Sequence, residues 1–149
     1  MAVSRAARLA PVVEMAEQAE KTAVQRLGYF QGQVKVAESK LADLDAFRLD
    51  YQEQWIVRGS DGVSGQWLLG YHGFLAQLDT AIDQQRQSLV WHQNNLNNAR
   101  GTWQQAYARV EGLRKLVQRY QDEARRAEDK REQRLLDELS QRLPRQNQL

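Results

Sequence analysis

From Leu75 to Val117 an apolar side chain returns at every seventh position, through Leu75, Ile82, Leu89, Leu96, Trp103, Val110 and Val117. Leu78, Ala99, Ala106, Leu113 and Tyr120 fill most of the interleaved positions three residues on. This is the a/d pattern of a coiled coil, in which a repeat of about 3.5 residues keeps one stripe of a helix against a partner helix and imposes a left-handed supercoil. Few folds suit such a chain, because the stripe is stable only when a second helix covers it.

The chain supplies its own second stripe. Leu9, Val13, Ala16, Ala23, Leu27, Phe30, Val34, Ala37, Leu41, Leu44, Tyr51 and Trp55 follow alternating steps of three and four, broken only by Glu20 and Arg48. Alanine dominates its early part and aromatic rings its end, so a partner helix can approach closely at one end and stands off at the other. Gly28 and Gly32 lie within this stretch, each costing about 1 kcal/mol against alanine in a helix; their spacing reads either as close packing or as tolerated weakness.

Between the seams, Arg58-Gly-Ser-Asp-Gly-Val-Ser-Gly-Gln66 carries no stripe and offers turn and N-cap residues instead, so the chain reverses there. The glycines lack the glycine-lysine-serine or -threonine ending of a phosphate-binding loop. The predicted fold is all-α, a single antiparallel coiled-coil hairpin: helix one over about 5–57, tip over about 58–66, helix two over about 67–143 and a tail over 144–149. Pro11 is expected in a first helical turn, where its missing N–H goes unneeded, and Pro144 disfavours helix at the residue before it.

A second helix of about 75 residues would extend roughly 110 Å. The first is shorter by about twenty residues, so positions beyond about Tyr120 should have no partner. This overhang, Gln121 to Arg142, is dense in both charge signs, with a thin stripe of Ala124, Ala127, Leu135, Leu136, Leu139 and Leu143. It reads as a solvated helix or as one that orders on docking, since isolated helices are marginal in water. Within the second seam, Gln85 and His92 replace apolar residues, as polar groups that fix register do. Asn94-Asn-Leu-Asn-Asn98 places poor helix formers in mid-helix, a point of potential bending.

Composition excludes whole classes of function. Mean hydropathy is -0.73 and the longest apolar runs fall far below the roughly 18 residues needed to cross a bilayer. The N-terminus lacks the apolar block of a signal peptide, so a cytoplasmic location is expected. With 0 cysteines there is no disulfide, thiolate metal site or cysteine nucleophile. His72 and His92 stand twenty residues apart with no carboxylate cluster, so neither a metal nor another cofactor nor a small-molecule substrate is expected, and the chain does not read as an enzyme. Basic side chains at Arg125, Arg126, Lys130, Arg131 and Arg134 are interrupted by Asp122, Glu123, Glu128, Asp129 and Glu132, which spoils a phosphate-binding stripe and argues against nucleic acid. A net charge of +2 by itself names no partner.

Aromatic residues point to a protein partner. Phe47, Tyr51 and Trp55 approach the tip on one helix, and Trp67, Tyr71 and Phe74 leave it on the other. Two helices offer little interior for six rings, and surplus aromatic surface marks interfaces; packing within the seam is the alternative.

These features together resemble the flagellar FliJ family. The resemblance covers nearly the whole chain. It rests on length, the two-helix heptad plan, Leu27-Gly28 after a basic and alanine-rich start, the Leu44-to-Tyr51 stretch, and Trp67 followed by Phe74-Leu-Ala-Gln-Leu-Asp-Thr-Ala-Ile82. It implies a cytoplasmic component of the flagellar type III export apparatus, peripheral to the inner membrane at the flagellar base. Such a component is an antiparallel coiled coil similar to the stalk of rotary ATPases, whose terminal segments insert into the hexameric export ATPase FliI. The resemblance further implies contact with the export gate protein FlhA and recycling of flagellar export chaperones. The gate-binding surface would comprise Leu44, Phe47, Tyr51, Phe74, Leu78 and Ala81. The ATPase-facing segments would carry Arg5, Arg8, Arg125, Arg126, Arg131 and Arg134. This chain departs from the family pattern at Gln85, where a histidine can stand, and at Phe47, where a tyrosine can. A passive homodimeric coiled-coil spacer or scaffold with no ATPase partner is the other reading that heptads alone support.

Overall fold

The computed structural model describes residues 3–143, so Pro144 and the 144–149 tail lie outside the described residues. Two helices, α1 (Arg5–Ser60) and α2 (Gly65–Arg142), account for nearly all of them, and their contacts are those of a two-helix hairpin. By its contacts the chain divides into a tip unit, Lys21–Gln104, and a terminal unit made of the residues up to Glu20 with those from Gln105 onward.

Within the tip unit the pairing is antiparallel. Trp55 packs on Tyr71, Arg48 bonds Asp79 and the Ala37 carbonyl receives Gln85, so each step back along α1 is a step forward along α2. The terminal unit has the same sense, with Glu17 opposite Arg114 and Arg5 opposite Glu123. Every position of the two sequence-read seams is buried or half-buried, including the polar interruptions Glu20, Arg48, Gln85 and His92. The most covered residues are small or aliphatic with one exception: Ala23, Val34, Ala37, Leu78, Ile82, Ala99 and the aromatic Tyr71 in the tip unit, Ala16 and Val110 in the terminal one.

The helix ends differ from the sequence reading by two or three residues, for local reasons. The Ser60 hydroxyl donates to the Val57 carbonyl and Asp61 N–H to that of Arg58, which carries α1 past 57. Gly62 follows with φ +84°, a conformation that a side chain disfavours, and its N–H bonds the Gly59 carbonyl. Ser64 then caps α2, its hydroxyl accepting from the Trp67 N–H, so the helix begins at Gly65. The reversal is thus confined to residues 61–64. Gly62→Ala is expected to lower hairpin stability by about 1–2 kcal/mol, read as a fall in the thermal unfolding midpoint.

Pro11 corrects an expectation: α1 starts at Arg5, so Pro11 is the seventh helical residue and lies beyond the first turn. Its missing N–H leaves the Ala7 carbonyl without its helical donor. The start of α1 is instead held by the Ser4 hydroxyl, which accepts from the Ala7 N–H, and by Arg5, whose guanidinium reaches Glu123 and lies 4.6 Å from the Tyr120 ring centre. The helix also runs unbroken through Asn94–Asn98.

Gly28 and Gly32 resolve as tolerated weakness within the chain, since a Cβ added at either meets nothing within 4 Å. Gly28→Ala and Gly32→Ala are each expected to raise stability by about 1 kcal/mol, measured by circular-dichroism melts. No helix among the described residues is long and apolar enough to cross a membrane, and no cluster of His, Cys, Asp or Glu there is disposed to hold a metal ion.

Candidate interaction surfaces

Two groups of residues were singled out by sequence, and each falls within one unit. The aromatic group is assembled in the tip unit around Tyr71, which is 6% exposed. Tyr51 stacks on it at 4.9 Å between ring centres, Trp55 at 5.2 Å and Trp67 at 5.7 Å. Phe74 lies 4.7 Å from Tyr51 and 6.1 Å from Phe47. Such offset and edge contacts add about 0.5–1.5 kcal/mol each beyond area burial. The rings therefore form one continuous stack across both helices, in which packing and exposure coexist: Phe47 is 50% exposed and Phe74 39%.

The six tip residues sort by depth. Leu78 is core, 6% exposed, whereas Leu44, Tyr51 and Ala81 are half-buried and Phe47 and Phe74 reach solvent. A partner docking here would touch the two phenylalanines and the rim of Leu44, Tyr51 and Ala81, while Leu78 holds the backbone beneath them. Heptad phase gives this sorting only in part, because Phe47 and Phe74 flank the seam and their rings lean across it toward each other.

Two polar seam residues find partners the sequence does not name. The Gln85 amide donates to the Ala37 carbonyl at 3.2 Å, an approach that an alanine side chain leaves open. Arg48 bonds Asp79 across the pair, and this hydrogen bond is the main cause of an arginine pKa raised above its ordinary value, against some desolvation. His92 has no such anchor: its Nδ1 is buried without a hydrogen-bond partner.

The second group belongs to the terminal unit. Arg5 is engaged with Glu123, which also accepts from Arg119. Arg8 donates to the Val3 carbonyl, and Arg131 pairs with Glu128. Arg125, Arg126 and Arg134 make no ion pair among the described residues. The last cover from α1 is a shallow groove where Ser4, Arg5 and Ala6 meet Tyr120, Glu123, Ala124 and Ala127. From Ala124 to Leu143 every residue is exposed, with Leu135 at 54%, Leu136 at 61%, Leu139 at 57% and Leu143 at 69%.

This overhang stays helical because it propagates from a paired stretch and so avoids nucleation. It is also internally bonded, through Arg131 with Glu128 and Gln133 with Asp137. Its leucines do not continue the seam. The seam register runs on through Arg131, Arg134, Glu138 and Gln141, and at about 100° per residue the stripe of Leu135, Leu136, Leu139 and Leu143 lies roughly 130° around the helix from it. A partner of this stripe would approach from a different direction from that in which α1 lies.

Comparison with known proteins gives one consistent result. The model of the family described as "Flagellar FliJ protein" matches residues 5–149. A flagellar FliJ protein of Escherichia coli (strain K12) is 27% identical over 134 residues, 90% of this chain and 91% of the relative. That of Salmonella typhi is 25% identical over 129 residues, 87% of this chain and 88% of the relative.

Proposed function

This chain belongs to the flagellar FliJ family, and on that footing we propose that it acts in flagellar protein export as a stalk-like coiled coil. Membership makes it a non-enzymatic component of the flagellar export system. Beyond that, its terminal unit engages and promotes the ring of the export ATPase FliI. Its tip unit contacts the cytoplasmic part of the export gate FlhA, and the protein helps recycle export chaperones, working in the cytoplasm against the inner membrane.

The observation that carries this reading is the overhang. A helix in which every residue past the Ala127 groove to Leu143 is exposed, with four leucines half or more in solvent, gains nothing for the fold it extends. Burying a leucine is worth about 1.5–3 kcal/mol, so the stripe represents binding free energy unused in the free chain. Elsewhere on the same overhang Arg125, Arg126 and Arg134 leave cations for carboxylates of a partner. The tip supports the second contact in a different way, through rings held rigidly by stacking and so ordered before any partner arrives.

The test is co-elution with the hexameric export ATPase of the same organism. The full chain is expected to co-elute, and a chain ending before Gln121 to be lost from the complex with its helical circular dichroism per residue retained. Equal binding by both would remove the overhang from the interface.

A further inference from the structure

The tip unit carries charge almost all of one sign in the half away from the reversal. Between Lys21 and Ala42 on α1 and between Gln84 and Gln104 on α2 there are six cations, Lys21, Arg26, Lys35, Lys40, Arg86 and Arg100, and one carboxylate, Glu38. The whole chain has a net charge of only +2, so the excess is local. Of the six, only Arg86 has an ion-pair partner among the described residues, Asp83. Arg26 is steadied by its own helix, its guanidinium 5.6 Å from the Phe30 ring centre.

The two lateral sides of this helix pair differ. One side bears Glu38 with Arg86 and Arg100. On the other, Arg26, Gln33 and Lys40 of α1 flank the seam opposite Ser88, Asn95 and Thr102 of α2, with no carboxylate on either wall. A groove opens there between Gln33, Val36 and Lys40 on α1 and Ser88 and His92 on α2. Its rims carry apolar side chains in solvent: Tyr29 and Trp91 are each 61% exposed and Val36 is 50% exposed. In the same wall His92 Nδ1 and Asn95 Nδ2 are buried without hydrogen-bond partners, so the pair alone leaves this side unsatisfied.

We propose that the face holding this groove, with Arg26, Tyr29, Val36 and Lys40 on α1 and Ser88, Trp91 and Asn95 on α2, is a docking site for an acidic amphipathic helix of a partner protein. Such a helix would complete a three-helix coiled coil over this stretch. Its apolar stripe lies between the Tyr29, Val36 and Trp91 rims. Its carboxylates face Arg26 and Lys40, which stand two heptads apart, about 21 Å along the helix. A second copy of this chain fits poorly, because the same face would bring Arg26 and Lys40 against their own kind. A nucleic acid fits less well than a helix, because Lys35 and Arg100 point away from the groove and the cations make no unbroken stripe. The site is distinct from the phenylalanines of the tip and independent of the ATPase reading.

The probe is a synthetic amphipathic helix of about three heptads, fluorescein-labelled, with leucine along the stripe and glutamate on both flanks; the control carries lysine on the flanks. Fluorescence anisotropy with the full chain is expected to show saturable binding of the glutamate probe in the micromolar range and none of the lysine probe. The Tyr29→Ala, Trp91→Ala double variant should weaken binding by about tenfold or more, with circular dichroism unchanged because both residues are exposed. Arg26→Glu with Lys40→Glu should reverse the preference between the two probes. The proposal is overturned if neither probe binds, if both bind equally, or if Phe47→Ala abolishes binding while the double variant does not. It is overturned equally if a thymidine oligonucleotide binds more tightly than the glutamate probe, or if the double variant's effect is the loss of self-association by the chain.

Discussion

Leu78→Ala lowers the unfolding free energy by about 2–4 kcal/mol, whereas Phe74→Ala, four residues earlier on the same helix, lowers it by about 1 kcal/mol. The contrast follows from depth. Leu78 is 6% exposed in the seam of the tip unit, next to the Asp79 that Arg48 of α1 bonds, and its removal leaves a cavity between the helices at that level. Phe74 keeps 39% of its surface in water and forfeits its ring contacts with Phe47 and Tyr51 and the cover of the rest of its ring. For a chain of this size the Leu78 change corresponds to about 5–15 °C in the thermal midpoint. Gate binding should divide the other way: the purified cytoplasmic part of the gate protein is expected to lose affinity for Phe47→Ala, Phe74→Ala while the hairpin keeps its helicity. A large loss of helicity in that variant would move the two phenylalanines from surface to core.

The second large effect concerns the overhang and has the opposite signature. Changing Leu135, Leu136, Leu139 and Leu143 together to alanine should leave the melting midpoint within about 2 °C of the parent. These side chains bury little in the free chain, and alanine is the better helix former. Binding to the ATPase ring should fall by a factor of about a hundred or more, since several leucines each contribute above 1 kcal/mol when covered. Calorimetric titration against the hexamer reads one quantity and a melt reads the other. A change in both would mean the leucines are already packed within this protein.

Much of this was legible in the sequence because the 3.5-residue period is rigidly tied to geometry. A residue on the seam is covered whatever its chemistry, which is why Glu20, Arg48, Gln85 and His92 are half-buried alongside their aliphatic neighbours. The period does not say how such residues are satisfied. Asp79 for Arg48 and the Ala37 carbonyl for Gln85 depend on the register between helices, which one strand of text does not contain. Helix ends were less legible for a similar reason: single hydroxyls on Ser4, Ser60 and Ser64 shift them, and Pro11 sits inside a helix that begins a turn and a half earlier than proline preference suggests.

The candidate surfaces were legible as composition and not as depth. Six rings near a reversal announce a cluster, but Tyr71 becomes its centre and Phe47 its edge through the lean of side chains across the seam. In the overhang the leucines were visible as a stripe. Their rotation away from the seam emerges only when the register of the paired region is carried forward to Arg131 and Arg134. The cationic stretch of 21–42 and 84–104 was hidden by the chain's small overall charge, because opposite signs are segregated along the helices and cancel in the total.

The most direct measurement is the steady-state ATP hydrolysis rate of the purified export ATPase, under conditions where it forms hexamers, with the full chain and with a chain ending before Gln121. The account predicts stimulation by the full chain, saturating with its concentration, and none by the shortened one. An unchanged rate with the full chain, or equal stimulation by both chains, would contradict it and leave a coiled coil that spaces its partners without driving the ring.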